Sequence, residues 1–283
     1  MTKIKLVTDS TAYLPIDFVA KHGIKVVPLK LNWDNDTFRD NVDITAQAYY
    51  QRLEESNTIP TTSQPSSGDF LTAFKEAANG ADALVAVLIS SGISGTVDSA
   101  LLAKKEFNQV PLEVVDSKVT AAGLALMVKA MAAATEKGGS VDDVVKMGNR
   151  VFDSMGVYFV VDTLKYLHKG GRIGGASAFL GSALDLKPIL YLSPEGKVEA
   201  LEKVRTKKKA VSRLIDLAVE KAGGKKARVG IMQANAMEGA QAIKAELEKR
   251  MDLAEIEIYE LSPAIGTHTG PGTLGIAVHT TEY

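Results

Sequence analysis

The sequence contains no cysteine, one tryptophan and only four histidines among its 283 residues. Without cysteine the chain can form neither disulfides nor thiolate metal sites, and it has no cysteine nucleophile. The histidines His22, His168, His268 and His279 are not spaced as metal ligands, so we expect no metal site. Iron–sulfur, zinc and thiol chemistry are therefore excluded from the candidate functions.

The chain also lacks an excess of one charge and a long hydrophobic run. Its formal net charge is −1, which gives no general attraction for nucleic acid, because such binding needs a basic face. Apolar stretches such as 83–89 are much shorter than a membrane-spanning helix. Residues 1–10 follow a strand pattern and not that of a signal peptide. We expect a cytoplasmic protein that encloses any lipid it handles.

The first half of the sequence alternates short β-branched runs with helical patterns. The pattern predicts strands near 4–8, 25–31, 83–89 and 112–116. The helices between and after them are expected near 15–22, 45–55, 68–79, 94–108, 119–137 and 141–154. This order is typical of a parallel sheet covered by helices, in a three-layer α/β domain. Polar turns follow three of the strands, at the edge of the sheet where such domains bind ligands.

The second half has a different order of elements. A turn at 193–196 joins two strands, near 189–192 and 197–204, into a hairpin. The hairpin is preceded by a strand near 157–161 and by helices near 163–169 and 175–185. It is followed by helices near 207–221 and 237–250, which alternate with strands near 228–234, 255–261 and 274–279. The hairpin indicates a mixed or antiparallel sheet. The sequence therefore predicts two α/β domains, residues 1–156 and 157–283.

Residues 270–275 read G-x-G-x-x-G, the pattern of a dinucleotide-binding loop. That motif requires a crossover helix after the glycines, but only eight residues follow Gly275 and they are typical of a strand. Pro271 also removes a backbone N–H that a phosphate would need. We interpret the segment as a glycine-rich loop that carries His268 and approaches a different anion, or as a structural corner.

Two segments rich in hydroxyl groups are candidates for holding that anion. In 90–96, S-S-G-I-S-G-T, a strand leads into small hydroxyl residues and then a helix, so backbone N–H groups and hydroxyls face outward. Helix capping is the alternative interpretation. Residues 59–68, I-P-T-T-S-Q-P-S-S-G, carry five hydroxyls, which is more than capping by Ser66 or Ser67 requires.

Two basic segments remain. Arg172 lies beside two glycines that leave its planar guanidinium room to meet a phosphate. Arg205 begins a second run of positive charges near 204–209. On a nearly neutral protein such runs are usually solvated faces.

Taken together and in order, these segments resemble the DegV family, bacterial fatty-acid-binding proteins that serve as the lipid-carrying subunits of fatty acid kinase. The resemblance spans the whole chain. It is carried by T-D-S-T at 8–11, I-P-T-T-S-Q-P at 59–65, S-S-G-I-S-G-T at 90–96, D-S at 116–117, L-H-K-G-G-R-I at 167–173, V-R-T-K-K at 204–208 and H-T-G-P-G at 268–272.

The resemblance implies a two-domain α/β protein that holds one long-chain fatty acid, such as palmitate, in a tunnel between its domains, with no other cofactor. By this resemblance Thr62, with Thr61 as the alternative, Ser94 and His268 would bind the carboxylate. Arg172, and with it Arg205, would face an ATP-dependent kinase subunit that makes an acyl phosphate for phospholipid synthesis. Contact with membranes would be transient, for lipid exchange.

Elementary energetics are consistent with this expectation. Burying fourteen methylenes of a sixteen-carbon chain contributes at most roughly 11 kcal/mol before ordering costs. An unpaired buried carboxylate would cost several kcal/mol, so hydroxyl and imidazole donors are needed at one end of the tunnel.

Two other functions remain open at this point. A serine hydrolase would use Ser94 and His268, with Asp9 or Asp116 orienting the histidine, although the final glycine of the nucleophile motif is missing around Ser94. An interaction module whose hydroxyl residues only cap helices is the third interpretation.

Overall fold

The computed structural model describes residues 2–180 and 186–283. Its strands are β1 (Ile4–Asp9), β2 (Lys25–Val27), β3 (Lys30–Trp33), β4 (Asp36–Arg39), β5 (Thr61–Ser63), β6 (Ala83–Leu88), β7 (Leu112–Asp116), β8 (Gly156–Val160), β9 (Lys187–Leu192), β10 (Val198–Val204), β11 (Ala227–Gln233), β12 (Leu253–Glu260) and β13 (Leu274–His279).

The helices are α1 (Ile16–His22), α2 (Ala46–Glu55), α3 (Ser67–Ala78), α4 (Thr96–Glu106), α5 (Ala121–Glu136), α6 (Val141–Ser154), α7 (Lys165–Lys169), α8 (Lys207–Ala222), α9 (Met237–Arg250) and α10 (Pro263–Thr269). Short 3₁₀ turns form at Ser10–Ala12 and Gly174–Phe179. The helix predicted over 175–185 is therefore a 3₁₀ helix, and not an α-helix, as far as Phe179. Its last five positions, 181–185, lie outside the described residues.

The first main sheet is parallel, with the strand order β2-β1-β6-β7. All six residues of β6 are buried, because helices cover both faces of the sheet and leave no solvent-facing side. The ends of β1, β6 and β7 lie side by side, so the three polar turns predicted from the sequence meet at one edge.

The single strand predicted over 25–31 is wrong. The chain divides into β2, in the parallel sheet, and β3, which forms a separate antiparallel sheet with the order β4-β3-β5. Pro28 has no N–H to continue the ladder, and the Leu29 N–H bonds to the Ser10 hydroxyl instead. This small sheet positions Thr62, which lies on β5.

The second main sheet is mixed, with the order β10-β9-β8-β13-β11-β12. β11 and β12 are parallel, while the other neighbours are antiparallel. The predicted hairpin forms between β9 and β10. The protein is thus a two-domain α/β fold with one parallel and one mixed sheet.

Helix α5 joins the two halves. Most of its residues are buried, including Lys129. A helix that is covered on all sides in this way must be apolar nearly all round. Gly230 of β11 allows a close approach, because a Cβ there would be only 2.6 Å from the Ala122 Cβ. Lys129 pairs with Glu255 and Glu257 of β12, both at 2.6 Å, so the two halves are linked by charge as well as by packing.

Candidate functional site

A mostly apolar cavity lies between the two halves of the chain. Its apolar wall includes Ile89, Ile93, Val157, Phe159, Leu192 and Met232, so strand ends and strands from both main sheets contribute. A hydrocarbon chain could be removed from water along this surface.

Polar residues line part of the cavity. Thr62, Gln64, Ser94, Arg172 and His268 all belong to its lining. The structure therefore brings together, from four distant segments, most of the residues predicted to form the site. The exception is Thr61, which is exposed and outside the lining.

His268 lies on α10, so the prediction of a glycine-rich loop at this position is wrong. Ser262 precedes the helix and Pro263 occupies its first position, where the missing N–H is not needed and the proline φ suits a helix. Asp40 accepts the Ala264 N–H at 3.0 Å, and Tyr49 contacts the Thr267 hydroxyl at 3.1 Å. The Ser-Pro pair was the sequence signal for this helix.

The His268 imidazole is mostly buried and neutral. Its Nε2 lies 2.7 Å from the Thr62 Oγ1, and its Nδ1 has no hydrogen-bond partner. Burial, with the positive charge of Arg172 as a second cause, lowers the pKa of His268 from 6.5 to about 4. We infer that Nε2 carries the proton and donates to Thr62, since an unpartnered lone pair at Nδ1 costs less than an unpartnered N–H beside Arg172. The Thr62 hydroxyl hydrogen is then free to donate to a ligand.

Gly170 has no side chain, and this leaves the space that the His268 imidazole occupies. A Cβ there would lie 2.9 Å from the His268 Cε1 and closer still to Nδ1. Gly270, after α10, faces the ring of Tyr166 in the same way. The sequence showed these glycines only as turn residues, because a close approach between segments distant in the chain has no local signal.

Ser94 lies in the turn between β6 and α4. Its Oγ is 2.8 Å from the Thr96 Oγ1 and 3.4 Å from the Thr96 N. The Ser94 N–H donates to the Ser90 carbonyl at 3.1 Å, so the prediction that the backbone at 94–96 would supply donors to the ligand is wrong at these two N–H groups. Gln64 faces Gly95, where a Cβ would be 2.6 Å from the Gln64 Nε2. Sequence reasoning missed Gln64 as a lining residue.

Arg172 stands where the cavity meets a polar surface groove. Its Nε donates to the Ile93 carbonyl at 3.1 Å and its Nη1 to the Gly170 carbonyl at 2.8 Å. The groove is also lined by Ser94, Asp98 and Lys197. Arg205 is exposed just after β10 and lines neither space.

Residues 3–281 match the profile of a family described as "Uncharacterised protein, DegV family". The chain belongs to the DegV family. It is 39% identical to a DegV domain-containing protein of Streptomyces coelicolor, over 97% of this chain and 98% of that protein. Relatives of known structure share both the sequence similarity and the fold.

One solved structure, reported under "Fatty Acid Binding of a DegV family Protein from Thermus thermophilus", matches with a TM-score of 0.94 and 38% identity, covering 99% of this chain and 100% of that one. Another, "DegV, a fatty acid binding protein from Bacillus subtilis", matches with a TM-score of 0.91 and 33% identity, again covering 99% and 100%. The same architecture is therefore present along the full length of these DegV proteins.

This DegV-family chain does not have the hydrogen bonds of a serine hydrolase. Ser94 bonds to Thr96, and His268 bonds to Thr62. Asp9 accepts from Thr11 and from the Ile89 N–H, with burial raising its pKa to about 6. Asp116, the other carboxylate considered, accepts from the Ser91 N–H and hydroxyl and the Lys118 N–H. With its pKa near 4, His268 is also a weak base at neutral pH.

The described parts of this DegV-family chain contain neither a metal-binding cluster nor a membrane-spanning helix. Within residues 2–180 and 186–283, no three His, Asp or Glu side chains gather as a metal site. Nor does any helix in those ranges have the length and apolar character needed to span a bilayer.

Proposed function

We propose that this protein binds one long-chain fatty acid in the cavity and presents its carboxylate to a separate ATP-dependent kinase subunit, which converts it to an acyl phosphate. The observation that carries the proposal is an apolar cavity lined at one part by Thr62, Ser94 and a neutral His268. The matched Thermus and Bacillus proteins are described as fatty-acid-binding, which supports the same ligand class here.

The acyl chain would be retained by the hydrophobic effect. Each methylene moved from water into the cavity contributes about 0.8 kcal/mol. Beyond the polar residues already named, the lining is apolar except for Ser63, Thr120, Thr269 and Thr273. Part of this gain is offset by the lost freedom of the chain. Retention needs no covalent bond and no charge on the protein.

The carboxylate would accept hydrogen bonds from the Thr62 and Ser94 hydroxyls. With the proton on Nε2, as inferred above, His268 would orient Thr62 across the 2.7 Å contact by donating to its oxygen, so the Thr62 O–H would point to the ligand. Because His268 is neutral, the head group is not held in an ion pair with the imidazole. It stays nucleophilic and can react with a phosphoryl donor.

The groove beside Arg172 is the proposed approach for the kinase subunit. The Arg172 guanidinium is held by two carbonyls and lines both the groove and the cavity, so its charge can stabilise a phosphoryl group at the carboxylate. The exposed Arg205 would contact the partner. The sequence has no G-x-x-x-x-G-K-[ST] motif, so the ATP site would belong to the partner. The acyl phosphate would serve phospholipid synthesis in the cytoplasm, with only transient membrane contact.

Solvent extraction and mass spectrometry of the purified protein test the lipid. We expect stoichiometric long-chain fatty acid. Its absence, together with failure of the delipidated protein to bind added palmitate, would contradict the proposal. A probe that labels activated serines distinguishes a fatty-acid-binding protein from a serine hydrolase. A hydrolase would be labelled, and the labelling would be lost in Ser94→Ala.

Reconstitution with an ATP-dependent kinase subunit tests the role of Arg172. Arg172→Gln keeps amide donors for the carbonyls but removes the charge, so we expect retained lipid and loss of acyl phosphate. Arg172→Ala should lose acyl phosphate as well. Release of lipid by both variants would show that Arg172 serves lipid binding and not the kinase reaction.

A further inference from the structure

Thr120 places an unused hydrogen-bonding group in the apolar wall of the cavity. It lines the cavity together with Ile89, Ile93, Ala121 and Val157, and it is only 9% exposed. Its Oγ1 has no hydrogen-bond partner. Among the described lining residues, every other Ser or Thr hydroxyl has one.

The position of Thr120 in the fold makes this more unusual. It is the N-cap residue of α5, where a hydroxyl normally accepts a backbone N–H of the first turn. The N-cap hydroxyls of four other helices do so, namely Thr45, Ser66, Ser140 and Thr206. Thr120 makes no such bond, so its buried hydroxyl has no partner among the described residues.

The backbone explains why the cap is not made. Ala121, the next residue, has φ 52°, in the left-handed region, and Lys118 has φ 54°. Such conformations are unfavourable for residues with a Cβ and persist only where the surroundings impose them. The chain thus enters α5 at an angle that separates the Thr120 hydroxyl from the first turn of the helix.

A plain hydrocarbon chain cannot satisfy this hydroxyl. Methylenes neither donate nor accept, and a buried hydroxyl without a partner destabilises the state that contains it. We propose that the cavity selects fatty acids bearing a hydroxyl group on the carbon that passes Thr120. A ligand hydroxyl both donates and accepts, so it pairs with Thr120 in either orientation. This inference rests on the proposed function and specifies its ligand class.

Competition for the delipidated protein tests the inference. A fluorescent fatty acid is first bound to the wild type, to Thr120→Val and to Thr120→Ser. It is then displaced from each protein by octadecanoic acid, by the monohydroxy positional isomers of that acid, or by cis-octadecenoic acid. We expect one group of neighbouring isomers to bind the wild type roughly tenfold more tightly than octadecanoic acid, from one recovered hydrogen bond. The nearly isosteric Thr120→Val should lose that preference, and Thr120→Ser should keep it.

The outcomes separate this inference from the function on which it rests. Tight binding of octadecanoic acid with no positional preference, as when a water molecule pairs with Thr120, would overturn the inference alone. A hydroxyl preference that persists in Thr120→Val, or a Thr120-dependent preference for the cis-unsaturated acid instead, would overturn it too. Failure of every fatty acid to bind would overturn both the inference and the proposed function.

Discussion

Replacing Gly170 by alanine should disrupt the proposed carboxylate site without removing a polar group. Gly170 has φ −77°, so alanine fits the backbone without strain. The new Cβ would lie 2.9 Å from the His268 Cε1 and closer to Nδ1, a separation that carbon atoms in proteins do not tolerate. The imidazole must therefore move, and its hydrogen bond to Thr62 at 2.7 Å is the contact most directly affected.

The size of the effect follows from what the displacement removes. Without His268 to orient it, Thr62 no longer presents its O–H to the carboxylate, and a hydrogen bond to a charged acceptor contributes about 1.5–3 kcal/mol. We expect fatty-acid affinity to fall roughly ten- to hundredfold, measured by displacement of a fluorescent fatty acid. Crowding should also lower the free energy of unfolding by about 1–3 kcal/mol.

Gly171→Ala is the matched control. Gly171 has φ 69°, and a Cβ added there would have no atom within 4 Å, so the substitution strains the backbone by about 1 kcal/mol but leaves His268 alone. We expect reduced stability in urea and nearly normal fatty-acid affinity. Equal affinities of Gly170→Ala and Gly171→Ala for fatty acid would refute the view that Gly170 positions the imidazole.

Three further predictions concern polar groups. Thr62→Val combined with Ser94→Ala should weaken fatty-acid binding by more than about tenfold, since two donors are lost; unchanged affinity in the displacement assay would contradict the site. The pKa of His268 is lowered from 6.5 to about 4, so its contribution to the free energy of unfolding is present above pH 6.5 and is lost as the pH falls to about 4. Urea titrations should therefore show that His268→Asn loses less stability than the wild type over that pH window. An unaltered dependence of the free energy of unfolding on pH would argue against a neutral, mostly buried imidazole. Asp40→Asn replaces a buried acceptor of three hydrogen bonds and should lower the free energy of unfolding by about 1–3 kcal/mol. The control, Asp43→Asn at an exposed position, should change the free energy of unfolding little. Equal losses of stability in the two variants would show that Asp40 does not hold α10.

Much of the fold was predictable because hydrophobic periodicity is a local property. The buried run of β6 and the hairpin of β9 and β10 follow from side-chain type and turn residues alone. The division of β2 from β3 was missed, since it depends on where the Leu29 N–H finds a partner, and that partner is the distant Ser10. Helix α10 was missed because seven residues rich in glycine and threonine carry a weak helical pattern.

The candidate site shows the same division between local and distant information. The sequence by itself determined which residue types were available, and its resemblance to the DegV family selected Thr62, Ser94, His268 and Arg172. Only the tertiary structure decided that these side chains share one cavity and that Thr61 does not. It also decided that Gly170 touches an imidazole and that the Thr120 hydroxyl is left unpaired. Hydrogen bonding and close packing act between atoms that are neighbours in space, and a chain that folds back on itself makes those neighbours from segments far apart in sequence.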